Sequence, residues 1–143
     1  MYLGDQFGYI NGHAIGIIMK EMVRRAIEAI RAERFIFEAQ QKQGLDGAMD
    51  DLVTSADEKA QAIYLRTIRE CFPYISVIAE EGFRQEDIPN DCSTYFTVDS
   101  LDGTKAFGRR QSHGIGTMIG LVMNGEVVAA YVGDVMTREI YGF

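Results

Sequence analysis

The hydrophobic pattern of this chain changes period once, near Pro73, and that change limits the folds open to it. Before it, Ile15, Ile18, Met22, Ala26 and Ala29, with Val23, Ile27 and Ile30 beside them, recur at steps of three and four residues. Lys20, Glu21, Arg24, Arg25 and Glu28 fall between them, so the spacing predicts a long amphipathic helix with one apolar stripe. The stretch 43–51 carries Gly44 and Gly47 and reads as a loop, after which Thr54 or Ser55 is placed to cap a second helix running to about Glu70. Pro73 closes that helix, because proline disfavours helical backbone in the residue before it.

Past Pro73 the apolar runs shorten to strand length, at 75–79, 95–98, 115–123, 127–132 and 140–143. Asn124-Gly125 stands between two of them and is a favoured two-residue hairpin turn, because both residues tolerate positive φ. Helices first and neighbouring antiparallel strands later predict an α+β fold, with two N-terminal helices packed on a mostly antiparallel sheet rather than a doubly wound parallel one. The length of 143 residues, 47% apolar and 24% charged, suits a single domain over 1–143.

Composition also removes classes of partner. A net charge of −7 opposes binding to nucleic acid or an anionic membrane, and no basic cluster interleaves with aromatics. Cys71 and Cys92 fit no zinc spacing and read as reduced, buried thiols. Residues 1–10 lack a basic region followed by an apolar one, and charges interrupt the run 14–30, so a cytoplasmic soluble protein is expected.

Chemistry-bearing residues gather in three short segments. The strongest is Thr97-Val98-Asp99-Ser100-Leu101-Asp102-Gly103-Thr104-Lys105-Ala106-Phe107, directly after a predicted strand. Asp99 and Asp102 at a strand end can point at one place, and hard oxygen ligands suit magnesium. Gly103 permits close backbone approach, and the amides of Gly103 and Thr104 can open a helix whose N-terminus favours a phosphate. The same residue types also make turns and caps, so Asp99 as a plain cap is the alternative. In the second segment, Ala79-Glu80-Glu81-Gly82, strand alternation lets only one of the two acids reach a metal, and two solvated loop acids are the alternative. The third, running from Asp51 to Asp57, sets a carboxylate on the first turn of the second helix, where the helix dipole favours it with or without a catalytic role.

In this order and spacing the three segments resemble the magnesium-dependent phosphatase superfamily that includes inositol monophosphatase, histidinol phosphatase of the same fold, the bisphosphate nucleotidases and fructose-1,6-bisphosphatase. The superfamily pattern Asp, Pro, aliphatic, Asp, Gly, Thr corresponds to Asp99 through Thr104, its Glu-Glu pair to Glu80 and Glu81, and its Asp-x-Val-Thr motif with a following Asp to Asp51 through Asp57. The resemblance implies that Glu80, Asp99, the Leu101 carbonyl and Asp102 hold Mg2+. It implies that Thr104, paired with Asp57, orients a water for in-line attack on phosphorus, that Glu80 shares in the catalytic set, and that the Gly103 and Thr104 amides hold phosphate oxygens. No covalent phosphoenzyme is implied. Ser100 stands where the pattern has proline, and loss of the stiffening ring is expected to loosen the loop without removing a ligand.

The implied activity is Mg2+-dependent hydrolysis of a small phosphorylated metabolite such as histidinol phosphate, 3′-phosphoadenosine 5′-phosphate or inositol monophosphate. The alternative is a non-catalytic metal- or phosphate-binding module, or an inactive fragment. Lys105-Ala106-Phe107 and Gly116-Thr117 lean toward the histidinol phosphatase and nucleotidase branches. The resemblance also places a further metal-binding Asp, in a Trp-Asp motif, in a second half of the superfamily's chains, and this sequence has no tryptophan. A weakly held second metal is therefore expected, as is an open apolar edge on the last strand that favours a homodimer. Arg109 and Arg110 either meet a second phosphate or are solvated, and His13 and His113 take no catalytic part.

Overall fold

The computed structural model describes residues 11–44, 49–79 and 93–143. Helix α1 spans Gly12–Lys42, its start capped by the Asn11 side chain, which accepts a hydrogen bond from the His13 amide at 2.8 Å. Of the expected stripe, Ile15, Met22, Val23, Ala26, Ile27 and Ile30 are buried, joined by Met19, while Ile18 and Ala29 are only half-buried. Helix α2 spans Met49–Cys71 and buries Leu52, Ala56, Ala60, Tyr64 and Ile68 at successive four-residue steps. It begins earlier than expected, and neither Thr54 nor Ser55 caps it. Thr54 Oγ1 donates back to the Asp50 carbonyl at 2.9 Å, and Ser55 Oγ donates across to Glu33 Oε2 at 2.9 Å. Asp57 consequently lies well inside the helix, and is buried, rather than on its first turn.

Five strands follow: β1 (Ser76–Ala79), β2 (Thr94–Asp102), β3 (Gly116–Met123), β4 (Glu126–Asp134) and β5 (Ile140–Gly142), with the short helix α3 (Thr104–Gly108) after β2. They form one sheet in the order β1-β2-β3-β4-β5, with β1 parallel to β2 and every other pair antiparallel. The hairpin between β3 and β4 turns at Asn124-Gly125, where φ is 52° and 80°. The chain is therefore α+β, with helices against a mixed sheet.

The core lies between the helix pair and one face of the sheet, where Phe96 stands opposite Leu121 and Val98 opposite Ile119. The Phe72 and Phe96 rings meet at 5.3 Å beneath the end of α2. Helix α1 approaches β4 closely at Gly133, where an added Cβ would lie 2.6 Å from both Ile27 Cδ1 and Val23 Cγ1. Arg31 of α1 donates to the carbonyls of Val135 and Met136 at 2.9 and 3.0 Å, fixing the turn after β4. Cys71, expected to be buried, ends α2 as an exposed free thiol, because the apolar stripe passes through Ile68 and Phe72 instead. Cys92 lies outside the described residues. Among the described residues no helix is long and apolar enough to cross a membrane.

The Gly133 contact predicts that Gly133→Val forces α1 off the sheet and destabilises the fold by about 1–3 kcal/mol. Urea unfolding should show a lower midpoint at unchanged m-value.

Candidate metal and phosphate site

Because β1 and β2 are parallel, both run toward the same end of the sheet. Ala79, the last residue of β1, stands opposite Val98, the residue before Asp99. Glu80, Glu81 and Gly82 lie outside the described residues.

In a regular strand, residues three apart point to opposite faces. Asp99 and Asp102 escape that rule through a bulge. Asp99 pairs with Met118 and Asp102 with Gly116, so β2 spends one residue more than β3 over this step. Met118 and Gly116 are themselves two apart and share a face, which places the two carboxylate residues on one side of the sheet. The bulge also shows in burial, since the alternation along β2 breaks at Ser100 and Leu101, which are both buried.

Behind this segment α2 presents two polar side chains. Asp57 is 6% exposed and Ser100 4%, and the Ser100 hydroxyl donates to Asp57 Oδ1 across a sequence separation of 43 residues. Two helical turns further on, the Tyr64 hydroxyl and Thr117 Oγ1 share a hydrogen bond of 2.7 Å within the core. Burial pushes the Tyr64 hydroxyl well above the usual tyrosine range; its bond to Thr117 opposes the shift, and the charge of nearby Asp99 adds to it. Tyr64 therefore stays protonated at this spot. The Ser100 hydroxyl, at the position where the pattern has proline, reaches Asp57 of α2. It ties the segment to α2.

The backbone turns out of β2 at Gly103, whose φ is 78°. A Cβ there would lie 1.9 Å from the Gly114 carbonyl oxygen, so only glycine fits on both counts. Thr104 opens α3 and is exposed; among the described residues, the hydroxyl that meets Asp57 is that of Ser100 rather than Thr104. Phe107 anchors α3 in the core, and the Arg34 guanidinium lies 5.7 Å over its ring. Arg109 and His113 are exposed, while Arg110 lies 5.9 Å over the Phe37 ring.

Among the described residues no three His, Cys, Asp or Glu side chains gather closely enough to enclose a metal. The donors at the bulge nonetheless suit magnesium in kind, being two carboxylates and the Leu101 carbonyl, all hard oxygens, with Asp102 open to solvent. Magnesium takes few protein ligands and keeps waters. The sequence names Asp57, Asp99, Leu101, Asp102, Gly103 and Thr104 as candidates, but neither the bulge nor the bond from Ser100 to Asp57 is visible in it. The one available signal was a serine where proline belongs.

Residues 14–143 match the sequence pattern of the inositol monophosphatase family. Over 128 residues the chain is 31% identical to the Nus factor SuhB of Vibrio cholerae, a match covering 86% of this chain and 47% of that protein. It is 30% identical to the inositol-1-monophosphatase of Bacillus subtilis over 92 residues, 64% of this chain and 34% of the other. Among solved structures, inositol monophosphatase II of Staphylococcus aureus superposes with a TM-score of 0.76 at 26% identity, over 92% of this chain and 46% of that one. The chain thus spans less than half the length of these relatives.

Substituting Gly103 by alanine should be severe. Left-handed backbone costs a non-glycine residue roughly 1–2 kcal/mol, and the conflict with the Gly114 carbonyl adds to it. Gly103→Ala is expected to lower the melting temperature clearly, whereas Gly125→Ala, with open space around its Cβ, should lower it less.

Proposed function

The chain belongs to the inositol monophosphatase family, and on that premise we propose that it carries the magnesium and phosphate site of a phosphomonoesterase acting on a small phosphorylated metabolite. The bulge at the end of β2 is the observation that supports this most directly. It sets Asp99 and Asp102 on one side of the sheet, immediately before a turn only glycine can make.

In this reading Asp99, Asp102, the Leu101 carbonyl and Glu80 hold Mg2+. When bound, magnesium offsets charge on the phosphate and raises the nucleophilicity of water at neutral pH, effects worth several kcal/mol of barrier. The protein's own part is placement. The Gly103 and Thr104 amides meet phosphate oxygens, Thr104 and Glu80 orient the attacking water, and Asp57, bonded to Ser100 rather than to Thr104, serves the same set from behind the bulge. Arg110 is engaged with Phe37, which leaves Arg109 the freer of the two to meet a second phosphate. A second phosphate would favour 3′-phosphoadenosine 5′-phosphate, the one compound of the three that has it, while Lys105-Ala106-Phe107 favours that compound or histidinol phosphate over inositol monophosphate.

Phosphate release from these three compounds, with magnesium and after its removal by EDTA, tests the proposal. Release should stop without the metal, and Asp102→Asn should lower kcat/KM by about 100-fold or more, equivalent to about 2.7 kcal/mol of the metal's contribution. Release indifferent to both would refute it. Magnesium binding without release would point instead to a non-catalytic metal-binding module.

A further inference from the structure

We infer that Ser100 is a positioning residue of this site, its hydroxyl fixing the Asp57 carboxylate against the bulge that carries Asp99 and Asp102; this rests on the reading of that bulge as a magnesium site. Two observations and one argument carry it. Ser100 lies between the two acids in the chain, so whatever holds its side chain also holds their backbone. Both Ser100 and Asp57 are buried, where a polar pair persists only through the bond it makes. A packed core alone would be served by alanine at both positions.

Geometry gives the bond a direction as well. Ser100 lies in β2 and Asp57 in α2, and the neighbouring Tyr64–Thr117 bond links α2 to β3. Two polar ties therefore set the helix against the two strands that form the bulge. Ser100 occupies one carboxylate oxygen, Oδ1, and a carboxylate has further lone pairs with which to accept from water. The hydroxyl orients Asp57 without saturating it. Because the bond also holds the backbone between Asp99 and Asp102, its loss should act as loss of an outer partner of metal ligands does, altering metal affinity by about 10–100-fold.

Titration calorimetry with Mg2+ on the full 143-residue chain, held well below its melting temperature, compares the unaltered protein with Ser100→Ala and Ser100→Thr. Circular dichroism confirms folding of each. The expected result is magnesium affinity weakened about 10-fold or more in Ser100→Ala and restored in Ser100→Thr, which returns the hydroxyl. Unchanged affinity in folded Ser100→Ala overturns the inference while leaving the magnesium site standing. Equal losses in both variants overturn it too, because the effect then belongs to packing. Failure of the unaltered protein to bind magnesium removes the proposed function itself, and this inference with it.

Discussion

The two long helices have to lie flat on one face of a twisted sheet, and the places where backbone comes close enough for that decide the rest of the structure. At Gly133 the strand offers no side chain, and Ile27 and Val23 of α1 fill the space. Gly16 gives similar clearance to Tyr131, whose hydroxyl would lie 2.8 Å from an added Cβ. An apolar stripe repeating every three or four residues tolerates sliding by a turn, but a notch of this kind does not. With α1 fixed over β4, α2 is confined to the neighbourhood of β1 and β2, and the head of β2 comes to rest beneath Asp57 and Tyr64.

The polar pairs beneath α2 do a different task from the apolar core around them. A buried hydrogen bond contributes about 0.5–1.5 kcal/mol net, whereas leaving one partner unsatisfied costs about 1–3 kcal/mol. The bonds of Tyr64 to Thr117 and of Ser100 to Asp57 thus add little to the total but penalise any arrangement in which they are broken. They select one placement of α2 out of several that the apolar stripe would accept. The same logic applies at the rim, where Glu33 of α1 accepts from both Ser55 and Lys59 of α2.

The sequence displays whatever depends on local pattern. The stripe of α1, the end of α2 at Pro73 and the Asn124-Gly125 hairpin were legible because each rests on neighbouring residues alone. The start of α2 was not, because Thr54 and Ser55 have the side chains of caps, while the Thr54 hydroxyl bonds back to Asp50 within the helix and the Ser55 hydroxyl reaches Glu33 of α1. Nor was the exposure of Cys71, which depends on where the stripe of α2 leaves the core. At the site, the acids and Gly103 could be named from their order along the chain. The bond between Ser100 and Asp57 could not, since it joins residues that only packing brings together.

The spacing of the two motif acids adds a constraint of its own. Two carboxylates three residues apart on a strand can share a face only if the ladder skips a residue, so the site requires the bulge. A bulge, however, weakens the ladder, and here neither Ser100 nor Leu101 has a paired residue on β3. Something else must hold the backbone at the position where the acids need to be most rigid. A proline at 100 would supply that by fixing φ. In this chain the ring is absent, and the Leu101 side chain, buried in the core, together with the Ser100 hydroxyl, held by Asp57, supplies it instead. The departure from the family's pattern is thus a second solution to one mechanical problem, and it makes the geometry of the acids depend on α2.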